Sequence, residues 1–464
     1  MEYCSLVEGE LVREGVARPV LNPATETIVG EAIVPASRYI DRAVRAASDA
    51  YKVWRNEQWT VKSRLLLAIA EAIQSHRDEL ARLLTLEQGK PLHEARDEVA
   101  LSIEHFEKVS KMRLKPNKLN GSGRSQVEQF FVPLGVIVGI IPWNFPLFTA
   151  VMKIAPALLV GNAIIVKPAP TTPLTTLKLG ELLKNVVPAG LLQTLADDGT
   201  VGPRLVRHPG VAKVSFTGST ASGKLVMRTA SPSLKRLALE LGGNDPAVVF
   251  GDVDVNEVAK SIFSVAFLNC GQVCTAIKRL YVDRSIYERV GKKLAELADA
   301  AVVGDGLEQG VTIGPVQNSA QFEKVQRYLQ LAREEGKVLA GGETLRGKGY
   351  FIRPTIVSDI DDNAPLVTEE QFGPILPVLA FDDEEEVVRR ANATNYGLTA
   401  SVWSKDLARA QRVARGLDAG TVWINKHLDL DANFPMTPCK DSGVGAIFGV
   451  DGLREFAQAR LLNQ

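Results

Sequence analysis

Val132-Pro-Leu-Gly-Val-Ile-Val-Gly-Ile-Ile-Pro-Trp-Asn-Phe-Pro-Leu-Phe-Thr-Ala-Val-Met152 is apolar almost throughout and long enough to cross a bilayer. Pro133, Pro142 and Pro146 interrupt it, and Asn144 sits near its middle. Hydrocarbon would penalise such an amide by roughly 2–3 kcal/mol or more. The stretch therefore reads as a buried strand, a proline-stiffened loop and a core helix. No membrane association is expected.

The same grammar continues downstream. Apolar strands are expected at 136–141, 163–167, 211–216, 236–241 and 246–250, separated mostly by helix-length segments. That alternation predicts a parallel sheet wrapped by helices. A second series predicts strand 279–282, helices 285–301 and 319–335, strands near 375–380 and 399–403, helix 406–416 and strand 420–424. Upstream, 5–34 reads as short strands with turns at Gly9 and Asn22-Pro23. Two helices follow, the second opening at Thr60 and closing at Gly89 and Pro91. A further helical stretch runs from Leu92 to Lys111. Residues 115–133, with Gly121-Ser-Gly123 and a loosely alternating run from Gln126, read as a projecting β-hairpin, either an assembly element or an ordinary surface hairpin.

At 464 residues the chain is too long for one core, so two or three units are expected. It is 45% hydrophobic and 23% charged, as globular proteins are. Its 54 basic side chains balance 54 acidic ones, which leaves no electrostatic footprint for nucleic acid or an anionic membrane. Four cysteines are too few for a disulfide framework, and Met1-Glu-Tyr-Cys4 does not start like a secretory signal. A cytoplasmic, reduced setting is the expectation. The five histidines show no paired ligand spacing, so no metal is expected.

Chemistry concentrates in Glu240-Leu-Gly-Gly-Asn244 and Gly271-Gln-Val-Cys274. The spacing suits a strand end and a returning helix that bring a carboxylate and a thiol to one cleft. A thiol nucleophile beside a water-activating carboxylate would make a covalent acyl-transfer site. A cysteine taken alone is more simply buried and inert. Phe216-Thr-Gly-Ser-Thr-Ala-Ser-Gly223 follows a strand and opens a helix. Gly218 and Gly223 would allow close backbone approach, and Ser219 with free N–H groups could hold a pyrophosphate; a plain tight turn is the alternative. Lys167 ends a strand and could reach a ribose or phosphate. Asn144 could donate to a developing oxyanion or cap the following helix.

Taken together, these blocks resemble the aldehyde dehydrogenase superfamily along essentially the whole chain. The matching stretches are Pro142-Trp-Asn-Phe-Pro146, Phe216-Thr-Gly-Ser-Thr220, Leu239-Glu-Leu-Gly-Gly243, Gly271-Gln-Val-Cys274, Glu369-Glu-Gln-Phe-Gly-Pro374, Asn395-Tyr-Gly-Leu398 and Gly420-Thr-Val-Trp-Ile-Asn425. The resemblance implies an α/β fold with a Rossmann-type cofactor domain (1–114 and 134–242) and an α/β catalytic domain (243–442). It also implies an oligomerisation arm (115–133 and 443–464) that makes a homodimer or homotetramer. It implies oxidation of a small-molecule aldehyde to a carboxylic acid through a thiohemiacetal and thioester on Cys274, with Asn144 at the oxyanion and Glu240 activating water. Lys167 would hold the adenosine ribose, Ser219 the pyrophosphate and Glu370 the nicotinamide ribose, with Phe372 packed beside the cofactor. Ile141, Pro142, Trp143, Pro170, Gly199, Thr217, Gly218 and Leu241 would complete that site, with Gln321 a weaker candidate by position.

The chain departs from the family pattern in places. Pro170 stands where an acidic residue often holds the adenosine ribose hydroxyls. Proline neither accepts that bond nor repels a 2′-phosphate, so the expected cofactor is NAD with NADP as an alternative. Ala196-Asp-Asp-Gly199 carries Asp where many relatives place Gly; the two carboxylates read as solvated, or as disfavouring an extra phosphate. Met436-Thr-Pro-Cys439 replaces an aromatic-and-glycine run. Cys270 reads as a small packing residue or as a disulfide partner for Cys274. Phe145, Thr149, Met152, Leu430 and Met436 would line an apolar entrance, which suggests a medium apolar or aromatic aldehyde. His427, Asp429 and Asp431 nearby keep a polar or cationic substrate open. Rival readings are a coenzyme A-acylating dehydrogenase, which would not need Glu240, a scaffold that has lost its chemistry, and a cysteine hydrolase, for which no Cys–His motif is visible.

Overall fold

The computed structural model of the chain describes residues 1–120 and 126–463. Two sheets organise it. In the first, which has ten strands, Arg236–Glu240, Lys213–Thr217, Val136–Ile140, Ala163–Lys167 and Leu192–Thr194 lie side by side in that order and run parallel. The chain moves outward from Val136–Ile140 through two strands, then returns to its other side with Lys213–Thr217. That reversal is a topological switch point, where parallel sheets open a crevice beyond their C-terminal ends. The Glu2–Val7, Ile28–Pro35 and Gly15–Leu21 strands extend the far edge.

The second sheet has seven strands, ordered Lys337–Ala340, Thr355–Ser358, Ile375–Phe381, Ile277–Asp283, Asp245–Val249, Thr399–Trp403 and Thr421–Ile424. All its pairings are parallel except the first. Its central strands are buried almost throughout because helices cover both faces, and the polar residues they carry, such as Asp245, Arg279 and Thr399, are buried with them. Each sheet has its own hydrophobic core, one built mostly from residues before Leu241 and the other from Ala247 to Leu417.

The apolar stretch from Val132 resolves into the strand Val136–Ile140, a loop, and the helix Pro146–Val160. Pro146 occupies its first turn, where a missing N–H does no harm. Among the described residues, no helix is long and apolar enough to cross a membrane. The helix expected from Thr60 to Gly89 is two, Trp59–Ser75 and Arg77–Gln88, broken at His76. The third sheet is antiparallel and joins Ala457–Asn463, Gln126–Pro133 and Asn117–Asn120. The turn expected at Gly121-Ser-Gly123 lies outside the described residues. Of the C-terminal segment, only Ala457–Asn463 joins this arm. Gly443–Val444 pairs instead with Leu239 and Glu240 in the first sheet, and Leu453 and Phe456 pack into the first core.

Candidate active site

The crevice beyond the switch point is a cavity of about 360 Å³ between the two sheets. Its floor comes from two strand ends. Beyond Ile140 the chain delivers Pro142, Trp143, Asn144 and Phe145; beyond Thr217 it delivers Gly218 and Ser219. Glu240 and Leu241 arrive from the neighbouring strand, which pairs Glu240 with Thr217. Cys274 faces them from the loop ahead of Ile277–Asp283. Gly243 makes this meeting sterically feasible, because a Cβ there would lie 2.5 Å from the carbonyl oxygen of Cys274.

Cys274 sits on an unusual backbone. Asn269, Cys270 and Gly271 are consecutively left-handed, with φ of 49°, 57° and 71°. Non-glycine residues adopt that region only when their surroundings impose it. The turn is bolted from several sides: Glu94 accepts from the Asn269 N–H at 3.0 Å, the Asn269 amide donates to Asn144 O at 2.9 Å, and the Gln272 side chain accepts from Gln317 N at 2.9 Å. A Cβ at Gly271 would lie 2.3 Å from Gly373 O, so only glycine fits. Cys270 is a buried core residue of the second cluster, as the packing reading expects. Burial pushes the Cys274 thiol up to about 12, with Lys278 opposing and Asp245, Glu370 and Glu240 adding to it. At rest Cys274 is therefore held as a thiol, and attack by its sulfur would need a base to take the proton.

Glu240 is 6% exposed, and its Oε1 has no hydrogen-bond partner. Burial raises its pKa and the nearby Lys153 ammonium opposes the rise, while burial lowers that of Lys153. Lys153 donates to Thr217 Oγ1 at 2.8 Å and to Ser215 Oγ at 3.2 Å, which fixes it behind Glu240. The Asn144 amide donates to Gln272 O at 2.9 Å, leaving its second N–H for the cavity. Its backbone carbonyl accepts from Lys90 Nζ at 3.0 Å, and Lys90 in turn is paired with Glu98 at 2.5 Å.

The remaining expected residues divide into two groups. Thr217, Gly218, Ser219, Leu241, Glu370, Phe372 and Gln321 all border the cavity. Trp143 and Phe372 meet edge-to-face with centroids 5.3 Å apart. Glu370 accepts from the Gly243 N–H at 3.0 Å, and burial raises its pKa against the pull of Lys278. The Gln321 amide donates to Gln371 O and Phe372 O at 2.9 and 3.0 Å, so its donors hold the Glu370–Phe372 loop rather than a ligand. Ser219 caps the helix Thr220–Ala230 through Ser222 N. Gly223 serves packing, not ligand approach: a Cβ there would lie 2.3 Å from Leu241 Cδ2.

Ile141, Lys167, Pro170 and Gly199 lie outside this cavity. The Ile141 side chain is buried, while its N–H donates to Lys167 O at 2.9 Å. Pro170 and Gly199 are exposed. Lys167 pairs with Asp197 at 2.9 Å, and Asp197 also accepts from Gly199 N and Val201 N at 2.8 and 2.9 Å. Asp197 is thus 6% exposed and structural, which corrects the solvated reading; Asp198 is the exposed one, paired with Arg18. Across the cavity, Phe145, Thr149, Met152, Leu430 and Met436 all line the wall as expected. The expectation missed Phe148, His105, Ala432, Ile447 and Phe448. Phe148 was within reach, since it lies four residues before Met152 on one helix face. Asp431 and Asp429 are held by Lys108 and Lys426. His427 is buried against Thr275 O at 2.8 Å, and burial pushes it down to about 3. No group of His, Cys, Asp and Glu suited to a metal occurs among the described residues.

Comparison with known proteins agrees with this geometry. The model of the aldehyde dehydrogenase family matches residues 13–462. A phenylacetaldehyde dehydrogenase from Pseudomonas fluorescens is 41% identical, over 96% of this chain and 91% of its own length. A betaine aldehyde dehydrogenase from Rhizobium meliloti (strain 1021) is 38% identical, over 98% and 95%. Among solved structures, an aldehyde dehydrogenase from Bacillus cereus in complex with NAD+ superposes with a TM-score of 0.97 at 34% identity, covering 100% of this chain and 96% of that one. A betaine aldehyde dehydrogenase from Staphylococcus aureus, also in complex with NAD+, gives 0.96 at 32% identity, covering 100% and 95%.

Proposed function

The chain belongs to the aldehyde dehydrogenase family, and from that premise we propose that it oxidises a medium apolar or aromatic aldehyde to its carboxylic acid with NAD and water. The observation that carries this reading is the unpartnered Oε1 of Glu240, buried in the same cavity as Cys274 and Asn144. A base so placed can take the thiol proton, and later a proton from water, without first breaking another bond. The Cys274 sulfur adds to the aldehyde carbon, and the free Asn144 N–H donates to the oxyanion that forms. When bound, the dinucleotide supplies the hydride acceptor that turns this thiohemiacetal into a thioester. Glu240 releases the thiol proton to solvent and, again a carboxylate, deprotonates the water that attacks the thioester carbon; Cys274 leaves as the thiolate and the carboxylic acid forms.

The residues present fit such a cofactor. The crevice lies at the switch point, Ser219 and Gly218 offer a helix N-terminus, Trp143 and Phe372 flank the cleft, and Glu370 stands at its end. Lys167 would hold the adenosine ribose. Its charge is already met by Asp197, so it offers no free cation to a 2′-phosphate, and NAD is favoured while NADP remains a weaker alternative. Phe148, Met152, Leu430, Met436 and Phe448 give the substrate end an apolar wall. Among the described residues, the lysine at that wall, Lys108, is held by Glu104 and Asp431 and so is not free to pair with a second carboxylate. The three-stranded arm would join copies of the chain into a homodimer or homotetramer.

The test is nicotinamide reduction without coenzyme A, using phenylacetaldehyde, hexanal, betaine aldehyde and succinate semialdehyde, each with NAD and NADP. Turnover is expected to be highest with the first two and NAD, and to fall at least a thousandfold in Cys274→Ala. Activity that needs coenzyme A would install the acylating reading instead. Succinate semialdehyde far ahead of the others would overturn the apolar one.

A further inference from the structure

His105 is a polar group in this cavity that the chemistry above does not use. It sits on the helix Leu92–Ser110 and is 4% exposed, and neither ring nitrogen has a hydrogen-bond partner. Leu101, His105 and Lys108 follow helical spacing, so one face of this helix forms part of the cavity wall. The imidazole meets Phe148 edge-on at 5.9 Å and Phe448 at 5.6 Å between centroids. A phenylalanine would fill such a corner without burying two unsatisfied polar atoms, an arrangement that is rare and unfavourable.

We propose that His105 selects the substrate, hydrogen-bonding a hydroxyl carried on the aromatic ring of the aldehyde at the end remote from the carbonyl. The proposal rests on the dehydrogenase reading and narrows its substrate class to hydroxylated aromatic aldehydes. A neutral imidazole presents one donor and one acceptor, the complement of a hydroxyl. Burial, with Lys108 adding to it, pushes His105 down to about 3, so the ring is neutral at any working pH. It therefore gives a carboxylate tail no ion pair. Lys108 engages both nearby carboxylates, Glu104 at 2.8 Å and Asp431 at 3.4 Å. Phe148 and Phe448 flank the imidazole and supply the stacking surface an aryl group needs.

The experiment compares kcat/KM of the full chain with NAD for phenylacetaldehyde and its 3-hydroxy, 4-hydroxy and 4-methyl derivatives, the methyl compound matching the hydroxyl in size. For the wild type, one hydroxy isomer is expected to exceed the 4-methyl compound by about tenfold or more, since a site built around a hydroxyl rejects the analogue lacking it. That comparison needs no variant. In His105→Phe the ratio should fall to within about twofold of one, and His105→Gln, which keeps a donor and an acceptor, should restore part of it. A wild-type ratio of one or below, with brisk turnover, overturns the role of His105 alone, as does a high ratio that survives in His105→Phe. Silence with all four aldehydes overturns the dehydrogenase reading itself, and this proposal with it.

Discussion

In the proposed reaction Glu240 works only as a carboxylate, and its surroundings set the pH at which it is one. Burial favours the protonated form, and Lys153 is the charge that resists this. The acid limb of kcat/KM should therefore lie above the ordinary carboxylate range, with activity rising as pH rises through it. Lys153→Met removes the opposing charge and should move that limb further to alkaline pH. Glu240→Gln should lower turnover by about 10²–10⁴ and abolish the limb. A pH–rate profile of the three proteins checks this; a Lys153→Met limb that shifts to lower pH would mean that the lysine does not stabilise the ionised base. Cys274, Glu240 and Asn144, which the structure brings to one cavity, were legible as candidates in the sequence because each carries its chemistry in its side chain and stands in a distinctive local run. Lys153 was not. It sits in an apolar helix, and its meaning comes from Ser215, Thr217 and Glu240, which reach it only through the sheet. Asp197 was misjudged for the same reason: nothing local announces that Lys167 will fold onto it.

The helix Leu92–Ser110 shows how one element serves several parts of the site. Its Glu94 accepts from the Asn269 N–H in the turn before Cys274, its His105 borders the cavity, and its Glu98 accepts from the N–H groups of Leu147 and Phe148, both at 3.0 Å, at the start of the Pro146–Val160 helix. Carboxylates favour that position, where free N–H groups and the helix dipole converge. Glu98 also pairs with Lys90, and both side chains are 0% exposed. Glu98→Ala would strand the lysine charge in the interior and leave two N–H groups without an acceptor, which should lower stability by about 3–5 kcal/mol. Denaturant unfolding measures it, and a loss below about 1 kcal/mol would show that Asn144 O and the Phe145 ring, 3.6 Å from Lys90 Nζ, already satisfy the cation. From sequence the helix itself was plain, yet the face that meets the cavity was not, because Leu101, His105 and Lys108 carry no pattern apart from their partners. The break at His76 was equally hidden: neither glycine nor proline marks it, and helix-compatible residues stand on both sides.

At the scale of the molecule, strand–helix alternation announced both parallel sheets, since buried strands are mostly apolar and their crossovers need helix-length segments. It could not announce that the C-terminal segment divides its allegiance. Gly443–Val444 adds to the first sheet beside Leu239 and Glu240, and Ala457–Asn463 crosses to the arm. That arm leaves Asn117–Asn120 and Ala457–Asn463 as open edges, with Leu461 and Leu462 exposed at 64% and 45%. Unpaired edges carrying apolar side chains invite a second chain to pair or pack. Sedimentation of the full chain should therefore give a mass at least twice the 50.3 kDa of one copy. Leu461→Lys with Leu462→Lys, which places one cation on each face of that edge strand, should shift the population towards the single copy while leaving each sheet's own core intact. A double variant that keeps the parent's mass would place the contact between copies elsewhere, since charge repulsion across a paired edge is not tolerated without loss of affinity.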